Sequence, residues 1–115
     1  MNLGEKQELF AVLLAKLLAY AHTFPDTHIR LKELLRTKEM AEIYAKQGKG
    51  IINSVHLLGI AIDLVLRIED EIITDSSKYE FLGVYWESLH PLCRWGGRFK
   101  RVDGGHFSLE HEGRC

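Results

Sequence analysis

The sequence predicts an α+β fold in which helices pack on a short, mainly antiparallel sheet. Three observations predict it. Leu9, Leu13, Leu17 and Ala21 recur four residues apart, with Phe10, Leu14 and Leu18 beside them, which is the period of an amphipathic helix. Ile60-Ala61-Ile62-Asp63-Leu64-Val65-Leu66 is short, apolar and β-branched, as a core strand is. Ser77-Lys78-Tyr79-Glu80 has the spacing of a capping box and opens a later helix.

Taken in order, the first helix is expected over residues 5–21, with Glu5, Lys6, Glu8 and Lys16 mostly on its outer side. Pro25-Asp26 breaks the chain. Residues 28–34 fit two readings: His28, Arg30 and Lys32 alternate as in a strand, while Leu31, Leu34 and Leu35 suit a helix. A helix from Thr37 to Gln47 carries Met40, Ile43 and Tyr44 on its apolar face, and Gly48 ends it. After the Gly48-Lys49-Gly50 loop and the segment 51–56, Gly59 is read as a turn into the core strand. Glu69-Asp70-Glu71 marks a further turn, and Ile72-Ile73-Thr74 pairs back as a hairpin. The helix opened at Ser77 runs to Leu89 with Phe81, Leu82, Tyr85 and Leu89 inward. Residues 94–107 are rich in Gly and aromatics, and the polar tail 108–115 is expected to fray.

A chain of 115 residues is expected to form one domain, here 1–115. Its 15 basic and 16 acidic residues leave a net charge of -1, which lacks the basic excess of a nucleic-acid binder. Cys93 and Cys115 form no CxxC pair, so a zinc ribbon is excluded, and reduced thiols of a cytoplasmic protein are the simple reading. No run of 18 apolar residues exists, so no membrane insertion is expected. The leading segment is not positive, and Lys16 interrupts the apolar run, so no signal peptide is expected either. A monomer is the expected state.

Asp63 stands out inside its apolar strand, because a buried carboxylate is costly unless it is paired or bound to a metal. His56 precedes it by seven residues across Gly59. A turn there would run the two segments antiparallel and bring His56 beside Asp63. His106 lies on a short C-terminal strand. Two imidazoles and one carboxylate suit Zn²⁺, at ligand distances of ~2.0–2.2 Å and with a fourth position for water. Each signal has a plainer reading on its own: a hydrogen-bonded surface His, an ion-paired Asp, a Gly-Gly turn. No His-Glu-x-x-His occurs.

Together the residues carry a resemblance. Ser54-Val55-His56-Leu57-Leu58-Gly59-Ile60-Ala61-Ile62-Asp63 fits the SxHxxGxAxD motif of the zinc D,D-peptidase family, which includes D-Ala-D-Ala carboxypeptidases, dipeptidases and phage L-alanyl-D-glutamate endolysins. Asp103-Gly104-Gly105-His106-Phe107 resembles the second motif of that family, and Trp95-Gly96-Gly97 looks like the Trp-Gly-Gly of its phage members. Arg36-Thr37, Tyr44 and Gly48 also fall in register. Ser108 departs from the pattern, because many relatives have Glu there; so does Asp103, where some carry Glu.

The resemblance implies a small Hedgehog/D,D-peptidase-like fold holding one Zn²⁺ per chain through His56, Asp63 and His106. It implies Asp103 as the general base and acid. Arg36 would polarise the scissile carbonyl or grip a substrate carboxylate, with a solvated charge as its plainer role. Ser54 would orient a ligand, and Trp95 would line the cleft or simply pack in the core. The implied substrate is the peptide stem of bacterial peptidoglycan. The implied function is a phage-type endolysin cutting the L-Ala-D-Glu bond, held in the host cytoplasm until the membrane opens and then acting on the wall. A D-Ala-D-Ala carboxypeptidase or dipeptidase, or a non-catalytic zinc-bearing wall-binding module, is the alternative. A regulatory protein would need none of these residues.

Overall fold

The computed structural model describes residues 1–33 and 55–115. Helix α1 spans Leu3–Ala21. It begins where Asn2 accepts from the Glu5 amide while Glu5 returns a bond to the Asn2 amide, so two orphan donors of the first turn are satisfied. Strand β1 follows over Thr27–Glu33, which decides the ambiguous segment in favour of the alternating pattern. The helix expected over 37–47 lies outside the described residues.

Val55–Leu58 form one 3-10 turn. Gly59 then takes φ +70, a conformation that L side chains rarely adopt, and redirects the chain into β2, Ala61–Ile68. His56 is therefore carried on a tight helical turn rather than on a strand antiparallel to β2. Burial alternates along β2: Ile62, Leu64 and Leu66 are buried, while Asp63, Val65 and Arg67 are half-buried. A turn with Glu69 at φ 54 leads to β3, Glu71–Ile73, the expected hairpin arm.

The capping box expected at Ser77 is not the device used. Asp75 caps instead, accepting from the Ser77 amide, and a 3-10 turn over Ser76–Tyr79 precedes helix α2, Glu80–Leu89. Within α2, Leu82, Gly83 and Trp86 are buried, whereas Phe81, Tyr85 and Leu89 are only half-buried. Strand β4 covers Cys93–Trp95, a 3-10 turn covers Gly96–Arg98, and β5 covers His106–Leu109.

Among the described residues the sheet runs β1-β2-β5-β4, with every pairing antiparallel and β3 pairing the far end of β2. Tyr79 fills the gap on β2 between β5 and β3: its hydroxyl accepts from the Leu66 amide and donates to the Ile73 carbonyl. Phe10, Leu13 and Leu17 of α1 and Leu82 and Trp86 of α2 share one core with Ile62, Leu64, Leu66, Phe107 and Leu109. Trp86 touches Phe10 and Phe107 edge-on, and its indole N–H is shared by the Arg94 and Ser108 carbonyls. Ile62 and Phe107 thus face the helices, and their neighbours Asp63 and His106 face away. None of the described helices is long and apolar enough to cross a membrane.

Candidate metal centre

Asp63 and His106 are paired residues of β2 and β5, so the sheet register itself brings them to one face. Asp63 Oδ1 lies 3.3 Å from His106 Nδ1. The 3-10 turn presents His56 to the other oxygen, with Nε2 3.5 Å from Asp63 Oδ2. The two imidazoles meet nearly edge to face, with centroids 5.3 Å apart. The donor atoms of all three residues lie within 4.8 Å of one another. Both histidines are buried, and Asp63 keeps 21% of its side chain exposed, so the cluster reaches solvent beside the carboxylate.

Burial raises the Asp63 carboxyl, but hydrogen bonds from His106 and His56 and their charge outweigh it and hold the group well below the usual carboxylate range. On the far edge of the His106 ring, Nε2 lies 2.6 Å from the Cys115 main-chain oxygen, which also accepts from Ser108 Oγ at 2.8 Å. Both ring nitrogens of His106 thus face acceptor oxygens, an arrangement satisfied by a ring carrying two protons, or by Nε2–H with a metal ion at Nδ1. Each imidazole faces its own oxygen of Asp63, at 3.3 and 3.5 Å, and one donor atom from each of the three residues lies within 4.8 Å of the others, close enough to share one ion. The borderline-soft N,N,O donor set fits zinc on chemistry as well as spacing.

The other expected site residues fall differently. Asp103 lies at the mouth of the turn into β5; its carbonyl accepts from the His106 amide, and its side chain is exposed and outside the three-residue cluster. Trp95 is buried rather than lining a cleft, with its indole N–H on the Gly104 carbonyl and the bare faces of Gly83 and Gly97 against its ring. Arg36 and Ser54 lie outside the described residues.

Two partners of His106 were not readable in the sequence: Phe99, whose ring centroid is 5.3 Å away, and Cys115, whose oxygen Ser108 also reaches. The tail that brings in Cys115 does not fray: Ser108 and Leu109 are fully buried in β5, and His111 and Arg114 exchange backbone hydrogen bonds. Glu112-Gly113 was the one local signal, a turn dipeptide between two paired residues.

Comparison with known proteins agrees with this geometry. A search of curated protein sequences gives no match. The chain resembles the crystal structure of the L-Ala D-Glu endopeptidase ChiX from Serratia marcescens, with a TM-score of 0.74 over 88% of this chain and 77% of that one, at 22% identity. That likeness establishes the fold. The family profile for D-alanyl-D-alanine carboxypeptidase matches residues 46–109, more than half of the chain, and this stretch contains His56, Asp63, Asp103 and His106. By that match, the chain belongs to the D-alanyl-D-alanine carboxypeptidase family of peptidases.

Proposed function

We propose that this chain is a zinc peptidase that hydrolyses the peptide stem of bacterial peptidoglycan, cutting the L-Ala-D-Glu bond in the manner of a phage endolysin. The observation that carries the proposal is the sharing of one carboxylate, Asp63, between two imidazoles, with a donor atom of each residue within 4.8 Å of the others. His56 Nε2, Asp63 and His106 Nδ1 would hold the zinc. When bound, zinc supplies a Lewis acid for the scissile carbonyl and lowers the pKa of water.

The remaining chemistry belongs to the chain. Asp103 takes the proton of the attacking water and returns it to the leaving amine. Its place one turn before His106 ties it to the same loop as the ligand. Arg36 grips a stem carboxylate or polarises the scissile carbonyl. Ser54 steadies a ligand from the same segment as His56.

The bond assignment is supported by the fold shared with a structure described as an L-Ala D-Glu endopeptidase. The endolysin role is supported by Trp95-Gly96-Gly97, which looks like the phage pattern. Such an enzyme would wait in the host cytoplasm and act on the wall after release. The family description favours a second reading, removal of a terminal D-Ala. Digestion of purified peptidoglycan, with mass spectrometry of the new termini, separates the two. New L-Ala carboxyl and D-Glu amino ends support the proposal, and free D-Ala supports the alternative. No cleavage with zinc supplied would leave a non-catalytic wall-binding module.

A further inference from the structure

We propose that the hook formed by residues 110–115 is a positioning element for the metal centre: the Cys115 main-chain oxygen holds the His106 ring so that Nδ1 is its donor atom. The inference rests on the zinc reading above and adds a part that neither motif contains.

The hook is tied down at its root and at its tip. At the root, Lys6 of α1 is buried and donates to the Glu110 carbonyl at 3.2 Å and to His111 Nδ1 at 3.0 Å. The Glu110 amide donates to the Leu92 carbonyl. The chain then reverses through Glu112 and Gly113, both at positive φ, with His111 and Arg114 bonded amide to carbonyl in both directions. The Glu110 side chain accepts from the Gly113 amide and braces the turn. At the tip, the Cys115 main-chain oxygen receives His106 Nε2 and Ser108 Oγ.

The consequence is chemical. An imidazole can place its proton on either nitrogen, and a metal needs the bare one. With Nε2 on the Cys115 oxygen, the ring is turned so that Nδ1 faces Asp63 and is the nitrogen a metal there would meet. Histidines that hold metals commonly have such an outer acceptor, and losing it typically weakens metal binding by roughly 10- to 100-fold. Here the acceptor is a main-chain atom, so its position depends on the hook and not on the identity of residue 115. Ser108 serves the same atom: its hydroxyl holds the oxygen in place from within β5.

The test uses Gly113→Val in the full chain. At φ +79 a branched side chain strains the turn, although nothing lies within 4 Å of a Cβ there, so the disturbance is confined to the hook. Two readouts are taken: zinc affinity by competition with a chromophoric chelator, and the His106 nitrogen that holds the metal, by ¹⁵N–¹H correlation of the zinc-loaded protein. Wild type should hold zinc through Nδ1 and keep Nε2–H. Gly113→Val should show a mixture of the two nitrogens and zinc binding weaker by roughly 10- to 100-fold. Cys115→Ser keeps the main-chain oxygen and should match wild type in both. Should Gly113→Val prove unstable, Ser108→Ala removes a holding bond without touching the turn and should shift both readouts in the same direction. Unchanged zinc affinity and an unchanged Nδ1 ligand in both Gly113→Val and Ser108→Ala would overturn this proposal alone, as would loss of affinity in Cys115→Ser, which would give the role to the thiol. If wild type itself takes up no zinc, the zinc reading falls and this proposal with it.

Discussion

Asp63 and His106 face each other across two antiparallel strands, and the separation of their side chains, 3.3 Å, is set by the register of β2 and β5. Strand pairing fixes the positions of Cβ atoms more tightly than a loop does, so two of the three proposed ligands stand on a rigid frame. The third, His56, arrives from a turn held to α1 by a bond from the Gln7 side chain to the Leu58 carbonyl.

One zinc per chain is the first expectation. Elemental analysis after gentle purification should find near-equimolar metal. Added zinc should raise the melting temperature, because a ligand at 100 times its Kd stabilises by about 2.7 kcal/mol. Asp63→Asn should lose most of that gain, since it removes the charge shared by both imidazoles. A chain that neither carries nor accepts zinc would refute the assignment.

Asp103 and His106 should separate by metal content. Asp103→Asn keeps shape and removes the proton acceptor, so activity on peptidoglycan should fall by about 10²–10⁴ while zinc stays bound. His106→Ala should lose both. Zinc loss in Asp103→Asn would make Asp103 a ligand.

Arg36→Ala should cut turnover with little change in zinc content or melting temperature. Arg36→Lys should rescue only in part, because an ammonium lacks the planar fork of guanidinium. Full activity in Arg36→Ala would return this residue to the role of a solvated charge.

Gly96 allows the loop before His106 to lie close. A Cβ there would sit 2.0 Å from the Asp103 carbonyl oxygen and 2.8 Å from His106 Cβ. Gly96→Ala should therefore destabilise by about 1–3 kcal/mol, as overpacking does, and should weaken zinc binding as well. Calorimetry and chelator competition read the two effects. A variant with wild-type melting and affinity would show that the loop tolerates displacement.

Alkaline pH should expose the difference between the two thiols. Burial pushes Cys93 up to about 12 from its ordinary 9.0. Above pH 9 the unfolded chain releases this proton while the folded chain keeps it, so the Cys93 contribution to stability falls with rising pH until about 12. Iodoacetamide should label the exposed Cys115 in the native protein and reach Cys93 only in denaturant. Equal labelling of both in native buffer would contradict the buried placement.

The local devices of this fold were legible wherever neighbours along the chain decide the outcome. The four-residue period marked α1, and the apolar β-branched run marked β2. His56, Asp63 and His106 were legible as a set because their types and spacing match a family pattern, and the structure brings them together. Other features depended on contacts far apart in the chain. Asp75 caps a 3-10 turn over Ser76–Tyr79 in place of the capping box expected at Ser77, and α2 starts after Tyr79, whose hydroxyl lies between β2 and β3. Trp86 became the centre of the core because its indole N–H finds two carbonyls on strands β4 and β5.

The sequence by itself carried the periods of α1 and β2 and the candidate ligand types, which follow from residue spacing, and a family resemblance, which follows from matched motifs. Tertiary structure alone decided which nitrogen of His106 faces Asp63. That choice is made by the Cys115 main-chain oxygen, delivered by a hook anchored on Lys6, more than 100 residues away along the chain. A main-chain oxygen has no residue type to read, so only the folded path of the chain says where it lies.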